Sequence, residues 1–276
     1  MKRLILAIAV FVAVNLNGAA APEWKTLAPG LEITTFKAAH PVPQGKSNIT
    51  VLRIDPTRWE LVFAGVSQSG GASTSAKQWC ARNKLTAAIN AGMFQQDGRT
   101  HVGYLRSGDH VNSRRIASYQ SVVAFGPHSD GKPPFHIFDL NKPAAELPAI
   151  AKEYQLTVQN LRLIQRPGVD KWHQDKKRAS EAALGEDDAG RILFIFTRSP
   201  FTMYELNEEL LKANIGLVAA QYLEGGPEAQ LYVHAGQTEM EMFGSYETGF
   251  SPDDQNDETW PVPNVLGIRP KPSTNK

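Results

Sequence analysis

Two glycine-containing turns carry the residues whose types are best suited to chemistry. Residues 90–94 read Asn-Ala-Gly-Met-Phe, and residues 224–228 read Glu-Gly-Gly-Pro-Glu. Each turn follows an apolar run typical of a buried strand, so Asn90 or Glu224 stands at a strand's carboxyl end. An amide can orient a ligand, and a carboxylate can act as an acid, a base or a nucleophile. Asn and Gly are also ordinary turn residues, so the spacing leaves a purely structural interpretation open.

Each turn ends a predicted strand–helix–strand unit. A crossover helix normally makes its flanking strands parallel, and ligands of open α/β sheets gather at strand carboxyl ends. If the two units share a sheet, Asn90 and Glu224 face one cleft. A Ser-Thr-Ser cluster begins the first helix, and a capping box at Thr202 begins the second. The units are predicted at 59–66, 73–83 and 85–89, and at 192–197, 202–214 and 217–223.

The remaining apolar runs complete an α+β (α/β) fold with a mixed β-sheet core and flanking helices. No repeat, low-complexity tract or linker divides the chain, so residues 22–276 are predicted to form one domain. Cys80, the single cysteine, shares the predicted apolar helix face with Ala76 and Trp79, which indicates a buried structural thiol. The further strands are predicted at 31–37, 49–54, 121–125, 135–138, 156–164, 230–233 and 265–268.

The composition is that of a globular protein with nearly balanced charge. The 276 residues include 29 Lys and Arg against 28 Asp and Glu, and 42% are hydrophobic. The chain therefore lacks the basic excess of a general nucleic-acid binder. A single cysteine excludes an intrachain disulfide and any multi-cysteine metal site. Nothing in the sequence indicates an oligomeric state.

The N-terminus has the three parts of a signal peptide. Residues 1–3 are Met-Lys-Arg, residues 4–16 are almost wholly apolar, and residues 17–21 supply the small side chains that a signal peptidase accepts. The apolar run is too short to span a bilayer, and no cysteine follows it to accept a lipid anchor. We expect residues 1–21 to be removed, leaving a periplasmic or secreted protein without a stable membrane anchor. A retained interfacial helix is the alternative.

Other familiar site patterns are incomplete. The glycine-rich stretch at 65–73 lacks the lysine of a phosphate loop. The seven histidines are scattered without a helical pair of zinc ligands, and the acidic run at 253–258 lacks the spacing of a calcium loop. No Gly-x-Ser-x-Gly elbow is present. We therefore expect no metal and no cofactor, and neither a zinc hydrolase nor a conventional serine hydrolase is supported.

Ordered blocks between Ala87 and Val233 resemble the phosphodiester glycosidase family, whose lysosomal member removes N-acetylglucosamine from a phosphodiester. The family's Asn-Gly-Gly-Phe-Phe block is matched by residues 90–94. The later blocks follow in the family's order. Residues 103–108 resemble its Gly-x-x-x-x-Gly block, 158–164 its next strand, 181–185 its Arg-x-Ala-Ile-Gly-like block and 223–226 its Leu-Asp-Gly-Gly block.

The chain departs from the family pattern at three places. Glu224 replaces the aspartate of Asp-Gly-Gly, which keeps the charge but extends it by one methylene. Glu181 stands where the family has an arginine, with Arg178 three residues earlier as a candidate substitute. Pro227 and Glu228 replace small residues after the double glycine. The resulting Glu-Gly-Gly-Pro-Glu motif indicates a divergent subfamily.

The resemblance implies glycosidase chemistry, in which a carboxylate stabilises or attacks an oxocarbenium-like centre. Glu224 is expected to be the principal carboxylate, with Glu228 or Glu181 as a second acid–base group. Asn90 is expected to orient the sugar or a water. The other expected substrate-binding residues are Gly92, Gly225 and Gly226, whose backbones approach the sugar; Phe94 and Asn160; and Arg106, Arg162 and Arg178, whose guanidinium groups match phosphate.

The substrate is expected to be a small-molecule or polymeric glycan, and two alternatives stay open. The charge reversal at Glu181 also fits a catalytically silent protein that binds carbohydrate or sugar phosphate. The second alternative is a hydrolase of another exported glycoside or cell-envelope polymer that contains no phosphate. Trp172 and His173 could stack on a sugar ring, or could anchor a partly buried loop.

Overall fold

The computed structural model describes residues 21–272, so the predicted signal peptide lies outside the described residues except for Ala21. Within this range the chain forms eighteen strands. They are β1 (Lys25–Ala28), β2 (Leu31–Lys37), β3 (Asn48–Ile54), β4 (Trp59–Gly65), β5 (Ala87–Asn90), β6 (Leu105–Ser107), β7 (His110–Ser113), β8 (Ser121–Pro127), β9 (Phe135–Asp139), β10 (Tyr154–Asn160), β11 (Arg162–Gln165), β12 (Val169–Asp170), β13 (Ala179–Asp187), β14 (Ile192–Phe201), β15 (Leu217–Gly225), β16 (Gln230–Ala235), β17 (Thr238–Phe243) and β18 (Asn264–Pro270).

Three sheets of these strands form the core of the molecule, with few helices beside them. One sheet has eight strands in the order β1-β2-β3-β14-β13-β15-β11-β12. The second has the order β7-β6-β10-β8-β9, and the third has the order β17-β16-β5-β18-β4. The predicted α+β class, a sheet core with flanking helices, is confirmed. The helices are α1 (Val66–Ser69), α2 (Ala76–Asn83), α3 (Pro143–Glu153) and α4 (Met203–Lys212), with a 3-10 turn at Gly226–Glu228.

Both predicted strand–helix–strand units are present, but they lie in different sheets. In the first, β4 and β5 each pair antiparallel with β18, which lies between them. In the second, β14 and β15 each pair antiparallel with β13. The flanking strands are therefore parallel to each other, as a crossover requires, without being neighbours. A shared sheet does not bring the two glycine turns together.

Local sequence signals explain where the two unit helices begin. Ser75 caps α2 through a hydrogen bond from the Gln78 N–H to its hydroxyl, and Thr202 and Glu205 form the predicted capping box of α4. Cys80 is buried on the inner face of α2, and burial raises the pKa of its thiol to about 12, which confirms a structural thiol. No helix of residues 21–272 has the length and apolarity to cross a membrane.

The largest hydrophobic cluster draws on all three sheets. It includes Leu52 and Phe194 from the eight-stranded sheet, Val123 from the second and Ile89 and Leu266 from the third. Packing the sheets against one core brings strand ends from different sheets to the same place. That convergence, rather than one continuous sheet edge, positions the candidate site.

Candidate active site

The two glycine turns contact each other directly at the carboxyl ends of β5 and β15. The Asn90 amide donates to the Glu228 carbonyl oxygen at 2.9 Å, and its oxygen accepts from the Gln230 N–H at 2.7 Å. The juxtaposition expected for Asn90 and the Glu224 turn is therefore found, although the strands belong to different sheets. Asn90 is almost fully buried and both ends of its amide bond the backbone. These two bonds hold the turn in place, and the role of Asn90 toward a substrate stays a prediction.

A second buried polar group joins the carboxyl end of β10 to the same turn. The Asn160 amide donates to the Ala91 carbonyl oxygen at 3.1 Å, and its oxygen lies 3.1 Å from Nε2 of His101. His101 Nδ1 accepts from the Gly103 N–H, which assigns the ring proton to Nε2. Burial lowers the pKa of His101 to about 4, so the ring is neutral at pH 7. Asn160 and His101 thus fix the turn, and sequence spacing gave no signal for His101.

Only glycine fits at position 92, where the side chains of Asn160 and His101 pack against the turn. Its φ is +139°, and a Cβ there would lie 2.2 Å from Oδ1 of Asn160 and 2.4 Å from Nε2 of His101. The expected role of Gly92, close approach of the backbone to a substrate, is taken by these two protein side chains. Phe94 is partly buried, and its backbone forms an isolated bridge with His101.

Glu224 is the central carboxyl group of an acidic cluster. Its side chain lies at the end of β15 with the residue only 7% exposed, and its Oε1 accepts a hydrogen bond from the Gly225 N–H at 3.2 Å. Burial, followed by the negative charges of Glu228 and Glu247, raises the pKa of Glu224 well above 4.5. Glu228 is partly buried, and burial and Glu247 raise its pKa as well. The carboxyl groups compete for ionisation, and the more exposed Glu228 ionises before Glu224.

Glu181 is a second buried carboxyl group on the neighbouring strand β13, opposite Gly225. It is 2% exposed, and its Oε2 has no hydrogen-bond partner. Burial and then the charge of Asp175 raise the pKa of Glu181 well above 4.5. An unpaired buried carboxyl group costs stability, so its presence favours a role in binding or catalysis.

Tyr222 connects the two parts of the acidic site. Burial raises the pKa of its hydroxyl well above 10, and the charges of Glu224 and Glu181 raise it further. Gly225 makes room for the hydroxyl, because a Cβ at this position would lie 2.2 Å from the Tyr222 oxygen. Gly226 has a φ of +62°, and a Cβ there would meet Glu247 at 2.6 Å. The double glycine therefore makes room for two protein side chains, and its role toward a substrate stays a prediction.

A cleft of about 320 Å³ opens beside Glu181 and Tyr222. This volume is within the range of small-molecule sites. Trp172 lies between this cleft and a neighbouring one of about 350 Å³ that contains Arg162, and its ring N–H donates to the Arg162 carbonyl at 3.0 Å. Trp172 thus both anchors its loop and forms a cleft wall. The residues that line the first cleft are Trp172, Asp175, Lys177, Arg178, Ala179, Glu181, Met203, Tyr222, Glu247 and Thr248.

The three arginines expected to bind phosphate are already held by protein acceptors. Arg178 forms two 2.6 Å hydrogen bonds with Glu205. Arg162 bonds the side chain of Gln120 and lies 3.5 Å from Asp139. Arg106, on β6 of the second sheet, donates to a backbone carbonyl. Arg178, the candidate substitute for the family arginine, therefore already has a carboxylate partner inside the protein.

Glu247 and Tyr222 are candidate site residues that sequence reasoning missed. Glu247 follows no motif, and only the fold brings it to the Glu224 turn. Tyr222 does carry a weak signal, since it precedes Glu224 by two positions on a predicted strand. Among residues 21–272, no three His, Cys, Asp or Glu side chains are arranged to hold a metal ion.

Comparisons with known proteins agree with this architecture. The sequence model of the phosphodiester glycosidase family matches residues 83–269. A search of curated proteins finds no matching relative.

Two solved structures share the fold at low sequence identity. The zebrafish N-acetylglucosamine-1-phosphodiester alpha-N-acetylglucosaminidase catalytic domain, auto-inhibited by its pro-peptide, is 12% identical with a TM-score of 0.62; the match covers 90% of this chain and 86% of that one. A hypothetical protein from Synechocystis is 15% identical with a TM-score of 0.54; the match covers 91% of this chain and 64% of that one.

Proposed function

The chain belongs to the phosphodiester glycosidase family, and we propose that it is an exported glycosidase-like hydrolase with Glu224 as its principal catalytic carboxyl group. Its substrate would be a glycosyl phosphodiester or a related cell-envelope glycoconjugate. The observation that carries this proposal is the cluster of Glu224, Glu228 and Glu247, of which Glu247 lines the cleft beside Glu181, while Arg178 in the same cleft is paired with Glu205. Export rests on residues 1–21, and the intact mass of protein recovered from the periplasm or medium tests it.

The different environments of two glutamates supply the two protonation states that glycoside hydrolysis needs. Glu224 is the more buried and keeps its proton, whereas Glu228 is more exposed and ionises first. In the proposed reaction Glu224 gives its proton to the glycosidic oxygen as the bond to the anomeric carbon breaks. The carboxylate of Glu228 stabilises the oxocarbenium-like centre. Water then adds to that carbon, and the proton that it releases returns to Glu224.

The test is a screen of aryl glycosides and glycosyl phosphodiesters with the wild type, Glu224→Gln and Glu224→Asp. Gln keeps the size of the side chain but cannot donate the acid proton, so turnover should fall by about 10²–10⁴. The loss should be largest for poor leaving groups, which need protonation most. Asp restores the family residue and should retain partial activity.

Asp130→Asn is the control, because Asp130 is exposed on the turn between β8 and β9. Unchanged turnover in Glu224→Gln on a substrate that the wild type cleaves would refute the assignment. Binding of sugars by the wild type without turnover of any glycoside would instead support a catalytically silent binding protein.

A further inference from the structure

A second cleft, of about 350 Å³, lies next to the one that contains Tyr222 and Glu247, and Trp172 lines both. Its walls combine aromatic rings with hydrogen-bonding groups. These side chains are Ser118, Tyr119, Gln120, Arg162, Lys171 and Trp172. A sugar ring carries hydroxyl groups at its edge and C–H groups on its faces, so the second cleft suits a sugar in chemistry and in size.

A buried amide fixes the loop that forms one side of the second cleft. Gln159, on β10, is fully buried, and its Nε2 donates to the Ala117 and Tyr119 carbonyl oxygens, each at 2.8 Å. Its Oε1 accepts from the Ala117 N–H at 2.9 Å and from the Tyr104 N–H at 3.2 Å. Every hydrogen-bonding position of this amide is therefore used to hold the neighbouring backbone in place.

The end of β10 connects the second cleft to the turn at residues 90–94. Asn160, the residue after Gln159, donates to the Ala91 carbonyl oxygen of that turn. Two successive buried amides thus fix the cleft loop and the turn that contacts the Glu224 segment. Rigid walls favour binding, because little conformational freedom is lost when a ligand arrives.

Trp172 is held at the border between the two clefts. Its ring N–H donates to the Arg162 carbonyl oxygen at 3.0 Å, and its backbone N–H donates to Oδ1 of Asp170 at 2.8 Å. Asn207 of α4 donates to the same Asp170 oxygen at 2.9 Å. The indole is therefore positioned before a ligand binds, and it can contact a sugar in either cleft.

Gln120 offers a hydrogen-bond donor at the rim of the second cleft. Its Oε1 accepts from Nη2 of Arg162 at 3.0 Å, and a guanidinium can only donate, so the oxygen of the amide is the atom that faces Arg162. The NH2 group of this exposed side chain has no partner within residues 21–272 and is available to a ligand hydroxyl.

These observations carry an inference that rests on the proposed function and narrows its substrate class. We propose that the substrate is a chain of at least two linked sugars, and that the second cleft binds the unit next to the one beside Tyr222 and Glu247. Tyr119 and Trp172 contact the ring of that unit, and the Gln120 amide donates to one of its hydroxyl groups. A monosaccharide would fill only one of the two clefts.

Calorimetry with sugars of increasing length tests the inference without turnover. The probes are chains of one, two and three units from chitin, cellulose and starch. In at least one series the disaccharide should bind the wild type about tenfold more tightly than the monosaccharide, because a second ring adds aromatic contacts and hydrogen bonds. Equal affinity for the two lengths in every series, or no binding of any chain at millimolar concentration, would overturn the proposal.

Two variants assign the gain in affinity to the second cleft. Tyr119→Ala and Gln120→Ala should each reduce it by about threefold or more. Tyr119 is half-buried and Gln120 is exposed, so neither change opens the core, and an unchanged Tm checks this. Tyr204→Ala is the matched control, since Tyr204 is a half-buried tyrosine that lines neither cleft. A gain that survives in both cleft variants would refute the assignment.

Turnover separates this inference from the proposed catalysis. If the length preference appears but Glu224→Gln keeps full turnover, only the catalytic role of Glu224 is wrong. If turnover depends on Glu224 but kcat/KM is the same for aryl glycosides of one and two sugar units, the inference alone fails.

Discussion

The two ends of strand β13 carry buried carboxylates in opposite circumstances. Glu181, near its start, is 2% exposed, and Glu186 and Asp187, at its end, are 4% and 1% exposed. All three are withdrawn from water to the same degree by the same strand. They differ in what surrounds them, and that difference separates a structural carboxylate from a candidate functional one.

The carboxylates at the end of β13 are matched by donors and cations. Glu186 accepts from the Ile137 N–H at 2.6 Å and lies 2.6 Å from a guanidinium nitrogen of Arg166. Asp187 accepts from Nε of Arg191 at 2.7 Å and from two backbone N–H groups of the same turn. These bonds fasten β13 to β9 and close the turn into β14.

The carboxyl group at the start of β13 has no comparable hydrogen-bond donor or cation beside it. Glu181 keeps an unpartnered oxygen, and burial raises its pKa well above 4.5. Arg178, which lines the same cleft, is paired with Glu205. Proteins tolerate a buried, unpaired carboxyl group where it takes part in catalysis or binds a ligand. The comparison therefore points to the Glu181 end of β13 as the functional end of the strand.

Glu186→Gln should give the largest effect on stability of any change that tests this comparison. The variant leaves Arg166 without its counter-charge, and breaking a buried pair costs about 3–5 kcal/mol. Arg166 is one-third exposed and can be rehydrated, so the low end applies. Urea unfolding should show this loss, while kcat/KM of the folded protein stays unchanged.

The double variant Glu186→Gln with Arg166→Met is the matched control. It removes both charges, so it should recover part of the stability lost in the single variant. A single variant that is as stable as the wild type but inactive would reverse the assignment of the two strand ends.

Glu247→Gln should produce the next largest effect, on the pH profile of catalysis. The negative charge of Glu247 raises the pKa of both Glu224 and Glu228. Removing that charge should therefore lower both values and move both limbs of the kcat/KM profile to lower pH. If one limb moves by one pH unit, the rate at a fixed pH on that limb changes tenfold. This change corresponds to about 1.4 kcal/mol of free energy.

The matched variant for this profile is Glu239→Gln, an exposed glutamate on β17 that pairs with Lys77. It should leave both limbs in place. Limbs that stay fixed in Glu247→Gln, or that move to higher pH, would show that Glu224 and Glu228 are not the titrating pair.

Much of the strand framework could be predicted from the sequence, because apolar alternation is a local signal. Strand β2 is found at the predicted residues, and the capping box at Thr202 correctly marked the start of α4. The predicted strand at 156–164 is wrong in one respect: the chain breaks at Leu161, where β10 in one sheet ends and β11 in another begins.

Two of the elements missed by the sequence have residues with weak local preferences. Strand β13 reads Ala-Ser-Glu-Ala-Ala-Leu-Gly-Glu-Asp, a composition poor in strand-forming residues, and it becomes a strand because β14 and β15 pair with both of its edges. Helix α3 begins at Pro143 and contains Pro148, which hid its helical pattern.

The contact between the two glycine turns was predictable from the sequence, but the charges around them were not. The glycine turns and the family blocks predicted that Asn90 and Glu224 lie close together. Whether an arginine is free depends on long-range contacts, such as the one between Arg178 and Glu205, that spacing does not report. For the same reason the unpartnered oxygen of Glu181 could be seen only in the folded chain.

The smallest expected effect is the pH dependence of stability in Glu181→Gln, and it tests the comparison most directly. Because the pKa of Glu181 is raised in the folded protein, the folded state keeps a proton that the unfolded chain releases near pH 4.5. Stability from this residue is therefore lost as the pH rises above that value. Gln cannot release a proton, so the Tm of the variant relative to that of the wild type should rise steadily from pH 4 to pH 8. Thermal unfolding across this range, with Asp130→Asn as the control, measures the difference in slope and is insensitive to any constant cost of the amide. Parallel curves for the wild type and Glu181→Gln would mean that Glu181 is as well matched as Glu186, and the contrast between the two ends of β13 would fail.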